Sequence, residues 1–296
     1  MLRTGFIGTG TVGTALATTL SARGYQVVAV SNRSQKSAAK LARDISGCRG
    51  VENGQAVADT AELVFITTPD DAIPSVVAGI RWHPNQSVVH CSGADSTDIL
   101  EPARQLGAQV GAFHPLQTFA SVKQAIDNIP GSTFAIEAEE PLRTILKEMA
   151  TALEGQWIEL KASDKVLYHA AAVIACNYLV TLVKVATDLW QTFNIPVHQA
   201  TRALMPLLQG TLNNIDSIGI PDCLTGPIAR GDAGTVSKHL KALEKSAPAV
   251  LSTYRELGLQ TIPVSLAKGR INQQQADKLE AILKPPDNSC GKGSHQ

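Results

Sequence analysis

The sequence predicts an α/β protein in which an N-terminal, doubly wound sheet is followed by an all-α C-terminal domain. Three observations support this fold class. A glycine-rich turn joins the first apolar run to a helix, β-rich runs alternate with helical stretches up to about residue 161, and only helical patterns follow. We therefore expect domains at residues 1–161 and 162–284, with a disordered tail at residues 285–296.

The first domain is expected to alternate strands with helices, as in a parallel sheet covered on both faces. The strands are Thr4–Gly8, Gln26–Ser31, Leu63–Thr67, Ser87–Cys91, Gln109–Phe113, Thr133–Glu137 and Trp157–Leu160. The helices are Val12–Ala22, Gln35–Ile45, Asp71–Ile80, Thr97–Leu106 and Glu140–Leu153. Ligands of such sheets bind beyond the carboxyl ends of the strands, so the residues that follow each strand are the first candidates for a site.

The second domain is expected to open with one long apolar helix from Ser163 to about Phe193. Its charges, at Lys165, Lys184 and Asp188, argue against a membrane span. Because the helix is apolar nearly all round, we expect its own domain or another subunit to bury it. Further helices are expected at Val197–Asn214, Val236–Glu256 and Gln273–Leu283.

Composition favours a cytoplasmic protein that acts on a small molecule. Lys plus Arg and Asp plus Glu are equal at 26 each, so no basic field predicts a nucleic-acid partner. The five cysteines are dispersed and never stand in Cys-x-x-Cys spacing, which indicates reduced thiols and no metal site. The glycine turn interrupts the apolar residues at the N-terminus, so neither a secretory signal nor a membrane partner is expected.

The glycine-rich turn has the spacing of a dinucleotide-binding turn, with Gly8, Gly10 and Gly13 in Gly-x-Gly-x-x-Gly order. The first glycine allows a tight turn, the second lets the backbone approach a pyrophosphate, and the third lets the helix pack on its strand. The pyrophosphate would lie at the N-terminus of that helix. The alternative is an ordinary glycine turn. The candidate cofactor-binding residues of the turn are Gly8, Thr9, Gly10, Thr11, Val12 and Gly13.

The end of the second strand bears on the choice between NAD and NADP. Where NAD enzymes place an acidic residue, this chain has Asn32, Arg33 and Ser34. A cation with short hydrogen-bonding side chains suits the 2′-phosphate of NADP, so NADP(H) is the expected cofactor. The alternative for Arg33 is a solvated charge after a strand.

The loop after the third strand, Thr67-Thr68-Pro69-Asp70, is expected to pass beside the ribose and nicotinamide of the cofactor. Thr67, Thr68 and Pro69 are therefore candidate cofactor-binding residues. Asp70 would cap the turn that follows, and the two interpretations are compatible.

Ser92 and His114 are the candidate catalytic residues. Ser92 follows the fourth strand and His114 follows the fifth, so both are expected at one edge of the sheet. His114 would exchange a proton with a hydroxyl or carbonyl oxygen because its pKa lies near working pH, and Ser92 would orient that oxygen. A structural histidine is the alternative. His90 is expected to point into packing or a backbone hydrogen bond, and Cys91 to be a plain buried thiol.

Polar residues also recur along the long helix. Lys165, His169, Val173 and Asn177 are four residues apart and are expected to share one face. A polar side chain in so apolar a stripe must be paired or face a cavity, so His169 and Asn177 are candidates for substrate binding. Satisfied interhelical hydrogen bonds are the alternative.

The segment Leu224–Asp232 interrupts the helical pattern with two glycines and a proline. Loops of this kind position binding groups, so Thr225 and Arg230 are further candidates for substrate binding. Arg230 would clamp a carboxylate or phosphate. A structural ion pair between Arg230 and Asp232 is the alternative.

Three separated motifs resemble a known family. They are His114-Pro115-Leu116-Gln117-Thr118-Phe119, Tyr168-His169-Ala170-Ala171-Ala172 with Asn177-Tyr178-Leu179, and the segment at residues 224–232. Together they resemble the two-domain proteins that join a Rossmann-like domain to the domain of unknown function 2520, over the chain to about Leu283. The resemblance implies a Rossmann domain followed by a domain like the C-terminal domain of 6-phosphogluconate dehydrogenase. That fold class includes pyrroline-5-carboxylate reductase, and the resemblance implies no substrate.

Two narrower resemblances concern chemistry. Prephenate and arogenate dehydrogenases also place a serine near the end of one strand and a His-Pro pair after the next, which supports an oxygen-handling role for His114. The β-hydroxyacid dehydrogenases place a catalytic lysine one turn before an asparagine, but Val173 stands at that position before Asn177. Their mechanism is therefore not transferred, and His169 is the possible substitute. In relatives the helical domains dimerise, which implies a homodimer.

These observations predict an NADP(H)-dependent oxidoreductase that transfers a hydride to or from the hydroxyl or carbonyl carbon of a small, anionic metabolite. Reduction of an imine, as by pyrroline-5-carboxylate reductase, is one alternative. A non-catalytic regulator that senses NADPH is the other.

Overall fold

The computed structural model describes residues 2–285 of the chain. Its contacts group the residues into two compact units, Met1–Asn177 and Tyr178–Gln296, which we call the sheet unit and the helical unit. The predicted division at residues 161 and 162 lies earlier, because contacts group the first turns of the long helix with the sheet. The predicted disordered tail lies outside the described residues from residue 286 onward.

The sheet unit contains one sheet of eight strands in the order β3-β2-β1-β4-β5-β6-β7-β8. The strands are β1 Arg3–Ile7, β2 Gln26–Ser31, β3 Arg49–Gly50, β4 Leu63–Ile66, β5 Ser87–His90, β6 Gln109–Leu116, β7 Thr133–Ala138 and β8 Gln156–Glu159. This confirms the predicted fold class of a Rossmann-like sheet. The two-residue strand β3 was not predicted, because a run so short carries no alternation of apolar and polar residues.

The expectation of an entirely parallel sheet is wrong at one position. β6 pairs antiparallel with β7, and β7 pairs parallel with β8, whereas β1 to β6 pair in parallel. Buried strands of either direction read as short apolar runs, so the sequence pattern carries no signal of direction here. The consequence is that β6 extends through His114 to Leu116, with His114 opposite Ala135 of β7.

Seven α-helices lie between the described strands of the sheet unit. They are α1 Thr11–Ala22, α2 Gln35–Asp44, α3 Gly54–Ala58, α4 Ile73–Ala78, α5 Glu101–Gln105, α6 Val122–Asn128 and α7 Leu142–Ala152. Three-ten turns at Asp70–Ala72 and Thr97–Leu100 take up the starts of the two middle helices predicted from residues 71 and 97. Helices α3 and α6 were not predicted.

A row of four phenylalanines forms the core on one face of the sheet. Phe6 of β1, Phe65 of β4, Phe113 of β6 and Phe134 of β7 are fully buried. Successive ring centroids lie 5.1, 5.9 and 4.5 Å apart. Burying each of these rings contributes about 1.5–3 kcal/mol, and truncating one to alanine costs about 3–5 kcal/mol. This core fixes the strand that carries His114.

The long helix is continuous in sequence but not in geometry. It consists of α8 Lys165–Ala172, a π-helical turn at Val173–Asn177, and α9 Tyr178–Gln191. A π turn inserts one extra residue, which rotates the following residues by about 100° relative to an α-helix. In a plain α-helix the fourfold spacing drifts by about 40° per step, and the extra residue offsets that drift, so the shared face of Asn177, Lys165 and His169 stays a prediction.

The helical unit contains α9 and four further α-helices in its described part: α10 Val197–Ile218, α11 Ala233–Ser246, α12 Leu251–Ala267 and α13 Gln273–Leu283. The single helix predicted at Val236–Glu256 is wrong, since the helix breaks at Ala247 before Pro248. Ala247 has φ −153° and ψ 57°, because a residue before proline is disfavoured in the helical region. A small core of α11, α12 and α13 includes Val236, Leu279 and Leu283.

The long helix is not buried by its own part of the chain. From residue 165 to residue 191, only Lys165 and Thr187 are buried. The expected burial within its own domain is therefore wrong, and the alternative of a second subunit stays a prediction. In the described residues, Ala162–Gln191 is also the one helical segment that is long and apolar enough to cross a membrane, a test that water-soluble helices also pass.

Candidate active site

The glycine turn between β1 and α1 is held closed by Thr67. Gly8 has φ +108°, a conformation that L side chains rarely adopt. A Cβ on Gly13 would lie 2.2 Å from the Gly8 carbonyl oxygen and 2.3 Å from Thr67 Oγ1. Thr67 Oγ1 donates to the Gly8 carbonyl at 2.7 Å. Gly8 is thus required by its backbone conformation and Gly13 by lack of space for a side chain. The hydrogen bond from Thr67 to the Gly8 carbonyl stabilises the turn.

The open side of the turn fits an anion. A Cβ on Gly10 would meet nothing within 4 Å among the described residues, and Gly10 begins α1 without a side-chain cap. No acidic residue lies in the first turn of α1. Thr9 Oγ1 and Thr68 Oγ1 are buried and have no hydrogen-bond partner in the described part of the chain. Unpaired buried hydroxyls beside a free helix N-terminus fit a phosphate-bearing ligand.

The end of β2 presents the expected cation. Arg33 is exposed and forms no ion pair or hydrogen bond with the described residues. Ser34 caps α2 through Ser37 N–H at 3.4 Å. Lys36, in the first turn of α2, is a second exposed cation that sequence reasoning missed. Its proximity to Arg33 along the chain could have signalled it.

His114 is the centre of a cluster built from three segments of the sheet unit. Its Nδ1 lies 2.8 Å from the Tyr168 hydroxyl oxygen, and the two rings are perpendicular. The His169 ring lies edge-on, with centroids 6.0 Å apart. Tyr168 and His169 are consecutive on α8, so both rings reach β6 from one turn. The structure thus brings together predicted His114 and His169, and it adds Tyr168.

Burial makes His114 a neutral group. Burial, together with the charges of His169 and Lys165, lowers the pKa of His114 to about 4. The predicted reason for choosing His114, a pKa near working pH, is therefore wrong. Burial also raises the pKa of Tyr168 to about 12. At neutral pH the pair is an uncharged imidazole bonded to an uncharged phenol.

Gly93 lies flat against the two histidine rings. A Cβ on Gly93 would lie 2.8 Å from His114 Nε2 and 2.6 Å from His169 Cδ2. Glycine is required here by space, since its φ is not positive. Sequence reasoning read the segment after β5 for Ser92 and missed Gly93, because the partners that exclude a side chain are 21 and 76 residues away.

Ser92 is placed differently from the prediction. It is 2% exposed, and its Oγ lies 2.7 Å from Asp70 Oδ2 and 2.9 Å from Asp95 Oδ2. It also accepts from Asp95 N–H at 3.2 Å. No hydrogen bond among the described residues joins Ser92 to His114. Its hydroxyl therefore ties its own loop to Asp70, and Asp70 does not cap the turn that it begins.

The neighbours of Ser92 behave as the sequence predicts. His90 is fully buried, and its Nδ1 accepts from Ser92 N–H at 3.1 Å, which confirms the expected backbone hydrogen bond. Burial raises the pKa of the Cys91 thiol to about 12, as expected of an inert buried cysteine.

Lys165 is the buried charge of the site, and it was not among the candidates. It is 2% exposed, and its Nζ lies 3.7 Å from Glu137 Oε2 and 3.4 Å from the Ser92 carbonyl oxygen. Burial lowers the pKa of Lys165, and the nearby carboxylate of Glu137 opposes that shift. A charged residue opening an apolar helix was the available signal.

The remaining candidates are exposed residues. Asn177 is exposed at the end of the π turn. Thr225 and Arg230 are exposed residues of the helical unit. The alternative ion pair between Arg230 and Asp232 does not form in the described structure; Asp232 instead caps α11 through Thr235 N–H at 2.9 Å. Pro69 is exposed at the end of β4.

These features define a Rossmann-like α/β domain followed by a helical domain. A Rossmann-like domain model matches residues 1–115, and the domain of unknown function 2520 matches residues 132–261. The chain therefore belongs to the proteins that join these two domains, which confirms the resemblance of its three motifs. No curated protein matches it in sequence.

Solved structures share the fold over nearly the whole chain. A provisionally assigned NADP oxidoreductase from Bacteroides fragilis is 25% identical, with a TM-score of 0.69 over 91% of this chain and 98% of that one. A reductive aminase from Aspergillus terreus, in complex with NADPH and ethyl-5-oxohexanoate, is 16% identical, with a TM-score of 0.63 over 96% and 92%. Pyrroline carboxylate reductase from Plasmodium falciparum, with NADP bound, is 13% identical, with a TM-score of 0.59 over 96% and 98%.

Proposed function

We propose that this protein is an NADP(H)-dependent oxidoreductase that transfers a hydride to or from the hydroxyl or carbonyl carbon of a small, anionic metabolite. The observation that carries the proposal is the cluster of His114, Tyr168 and His169, which lies in the same unit as a glycine turn with an open, anion-binding side. One part suits a dinucleotide and the other suits proton transfer.

The glycine turn and the residues after β2 provide the hydrogen-bond donors and the cation that the phosphates of NADP(H) require. The N-terminus of α1 and the unpaired hydroxyls of Thr9 and Thr68 would hold the pyrophosphate. Arg33, with Asn32 and Ser34 beside it, would hold the 2′-phosphate. The fold neighbours with NADP or NADPH bound support this assignment. When bound, the cofactor would supply or accept the hydride.

Tyr168 and His114 would handle the proton. In the tautomer with a proton on Nδ1, His114 donates to the Tyr168 oxygen and leaves the phenol O–H free to donate to the substrate oxygen. As the C–O⁻ group forms, the phenol proton moves to it, the Nδ1 proton of His114 moves to the phenol oxygen, and Nε2 takes up a proton from solvent, so that the imidazole stays neutral and ends in its other tautomer. In the oxidation direction the same protons return. Tyr168 is thus the proposed donor, and His114 is the relay behind it.

Substrate positioning is proposed for His169, Asn177, Thr225 and Arg230. His169 flanks the cluster at Gly93. Arg230 is an exposed cation without a partner among the described residues, and a guanidinium of this kind binds a carboxylate or phosphate in a fork. An anionic substrate follows from this assignment. Ser92 keeps a supporting role through its bonds to Asp70 and Asp95.

The protein is further proposed to act as a cytoplasmic homodimer through the helical unit. Val180 of α9 and Leu207 of α10 are 70% and 67% exposed, among other apolar residues of these helices. Exposed apolar rows of this kind mark protein interfaces, and a second copy would cover them. Light scattering is expected to give the mass of two chains, and the mass of one chain would contradict the dimer.

Imine reduction is the second candidate, and one observation favours it. His114 has a pKa of about 4, so it is not a charged acid at neutral pH. An iminium is protonated before the hydride arrives and needs no such acid. The reductive aminase and pyrroline carboxylate reductase among the fold neighbours support this alternative.

The cofactor assignment is tested by binding NADPH and NADH to the wild type, Arg33→Ala and Lys40→Ala. Lys40 is an exposed lysine of α2 and serves as the control. Arg33→Ala is expected to weaken NADPH binding by about tenfold or more and to leave NADH binding unchanged, because only NADPH carries the 2′-phosphate. Equal binding of both cofactors by the wild type would contradict the assignment.

The reaction class is tested with panels of 2-oxo acids and cyclic imines on the wild type and His114→Ala. Turnover of an oxo acid that is lost in His114→Ala supports carbonyl chemistry. Turnover of an imine that His114→Ala retains supports the second candidate. Tight NADPH binding with no turnover, together with a protein partner that co-purifies, would favour the NADPH-sensing regulator instead.

A further inference from the structure

We propose that Lys165 and Glu137 are positioning residues that clamp both ends of the loop at residues 92–97 and so hold Gly93 against His114 and His169. The effect of this clamp on turnover rests on the proposed function. Its effect on the loop and on His114 does not, and it can be measured without a substrate.

Lys165 holds the first end of the loop. Its Nζ lies 3.4 Å from the carbonyl oxygen of Ser92, the residue before Gly93. The Lys165 side chain is 2% exposed, so little water competes for the protons of its ammonium group. A buried cation on a flexible stem keeps such a position only where acceptors surround it.

Glu137 holds the second end. Its Oε1 accepts from Thr97 Oγ1 at 2.8 Å, and its carboxylate lies 3.2 Å from Thr97 N–H. Hydrogen bonds to a carboxylate are stronger than those between neutral groups. Glu137 also lines a cavity of about 770 Å³ together with Thr97 and Arg104. The Glu137 side chain is 14% exposed, which reduces the cost of burying its carboxylate.

The two ends are joined through charge. Lys165 Nζ and Glu137 Oε2 are 3.7 Å apart, with side chains 2% and 14% exposed. Removing one partner of a buried pair leaves the other charge uncompensated, which is far costlier than losing an exposed pair. Each group therefore requires the other, and the loop between them is fixed at Ser92 and Thr97 together.

The sheet brings the clamp to His114. Glu137 of β7 pairs with Ala112 of β6, and His114 is two residues further along β6. Since side chains alternate along a strand, Ala112 and His114 project from the same face, as does Glu137. Gly93 then lies on this face, where a Cβ would be 2.8 Å from His114 Nε2. Greater mobility of the loop would move Gly93 away from the His114 ring.

The clamp also sets the charge near His114. The titratable groups facing His114 are Lys165, Tyr168 and His169 from α8, and His90 from β5. Cys91, Asp95 of the loop and Glu137 of β7 face Lys165. Lys165 contributes positive charge that disfavours a second positive charge on His114. Its removal is therefore expected to make His114 easier to protonate.

The test compares Lys165→Met and Thr97→Val with a control, Lys184→Met. Lys184 belongs to an exposed ion pair with Asp188 on α9, so its replacement removes a lysine from the same long helix without touching the clamp. Hydrogen exchange reports on residues 93–96, and an NMR titration, assigned with His114→Asn, reports on His114.

Lys165→Met is expected to speed hydrogen exchange at residues 93–96 by about tenfold or more and to raise the pKa of His114. Thr97→Val is expected to speed the same exchange and to leave the His114 titration unchanged, because the charges remain. Where the wild type turns over a substrate, Lys165→Met should lower kcat by about 10–100-fold with NADPH affinity unchanged.

Unchanged exchange at residues 93–96 in both variants, relative to Lys184→Met, would overturn the clamp. An unchanged His114 titration in Lys165→Met would overturn its electrostatic part. If Lys165→Met does not fold, Thr97→Val still decides whether the loop is held at its second end. Absence of turnover in the wild type counts against the proposed function and leaves the exchange result standing.

Discussion

Within the described residues, each unit contains one tyrosine–histidine pair, and the two pairs have nearly the same geometry. In the sheet unit, His114 Nδ1 lies 2.8 Å from the Tyr168 hydroxyl, with ring centroids 5.6 Å apart at 90°. In the helical unit, His239 Nδ1 lies 2.7 Å from the Tyr254 hydroxyl, with centroids 5.8 Å apart at 85°. The contact alone does not distinguish them.

The surroundings do distinguish them. His114 is enclosed by Gly93, His169 and α8, and burial lowers its pKa to about 4. His239 is exposed on α11, and no charged group contacts its ring within the described residues. A hydrogen bond of one geometry is thus a surface contact in one unit and a candidate proton relay in the other. Burial and neighbours, more than the pair itself, give it chemical meaning.

One of the two largest contrasts is expected from removing each histidine. His114→Asn should lower kcat by about 10²–10⁴-fold, because it removes the relay behind Tyr168, while NADPH affinity stays within about twofold. His239→Asn should leave kcat unchanged, since its ring is exposed and distant in sequence from the site. Steady-state kinetics and cofactor titration measure both. An equal loss of kcat in His114→Asn and His239→Asn would contradict the proposed difference between the two pairs.

Removing each phenol oxygen sharpens the comparison further. Tyr168→Phe should lower kcat in the carbonyl reaction by about 10²–10⁴-fold, at least as much as His114→Asn, because His114 acts through the Tyr168 oxygen. Tyr254→Phe removes an equivalent hydrogen bond at the surface and should change neither kcat nor KM. The pH profile of kcat distinguishes a lost proton donor from a general loss of structure. Full activity in Tyr168→Phe would assign the proton to another group or favour the imine reaction.

A smaller contrast is expected from adding one methyl group. Gly93→Ala places a Cβ 2.8 Å from His114 Nε2, so the ring must move, and kcat should fall by about tenfold or more. Gly234→Ala on α11 is the matched control, because its Cβ meets only Asp232 Oδ1 at 3.5 Å. Gly234→Ala should leave kcat unchanged and slightly raise the melting temperature. Wild-type kinetics in Gly93→Ala would show that the contact has no consequence.

The smallest effect concerns acid stability. The folded-state pKa of His114 is lowered from 6.5 to about 4, so between these values the unfolded chain binds a proton that the folded chain does not. The stabilisation from neutral His114 is therefore present above pH 6.5 and is lost as pH falls towards 4. It amounts to a few kcal/mol in order of magnitude. The unfolding free energy of His114→Asn should fall less steeply over this window than that of the wild type, with His239→Asn as the control. Parallel curves for wild type and His114→Asn would contradict the lowered pKa.

The cofactor half of the site could be predicted because its constraints are local. Gly8 and Gly13 are dictated by a turn that closes within six residues, and Thr67 follows from the rule that strand ends meet at one edge. Pro248 was likewise a local signal, and the helix predicted across it should have been broken there.

The other half could not be predicted, because it depends on distance in sequence. Tyr168 is 54 residues from His114, and only the packing of α8 on β6 brings them together. The pKa of His114 depends on burial that no single residue signals. The π turn that ends at Asn177 contains no proline or glycine to mark it. Lys165 was visible as a charge, but its partner Glu137 follows from the antiparallel pairing of β6 and β7.

The most direct test of the central claim is deuteride transfer from NADPH labelled with deuterium at nicotinamide C4. A metabolite extract is incubated with this cofactor, prepared with the label on either face, and with the wild type, His114→Asn or His239→Asn. The account predicts that one metabolite gains deuterium with the wild type and His239→Asn but not with His114→Asn. If NADPH binds and no metabolite gains the label with any of the three proteins, nor loses hydride to NADP, hydride transfer at this site is contradicted.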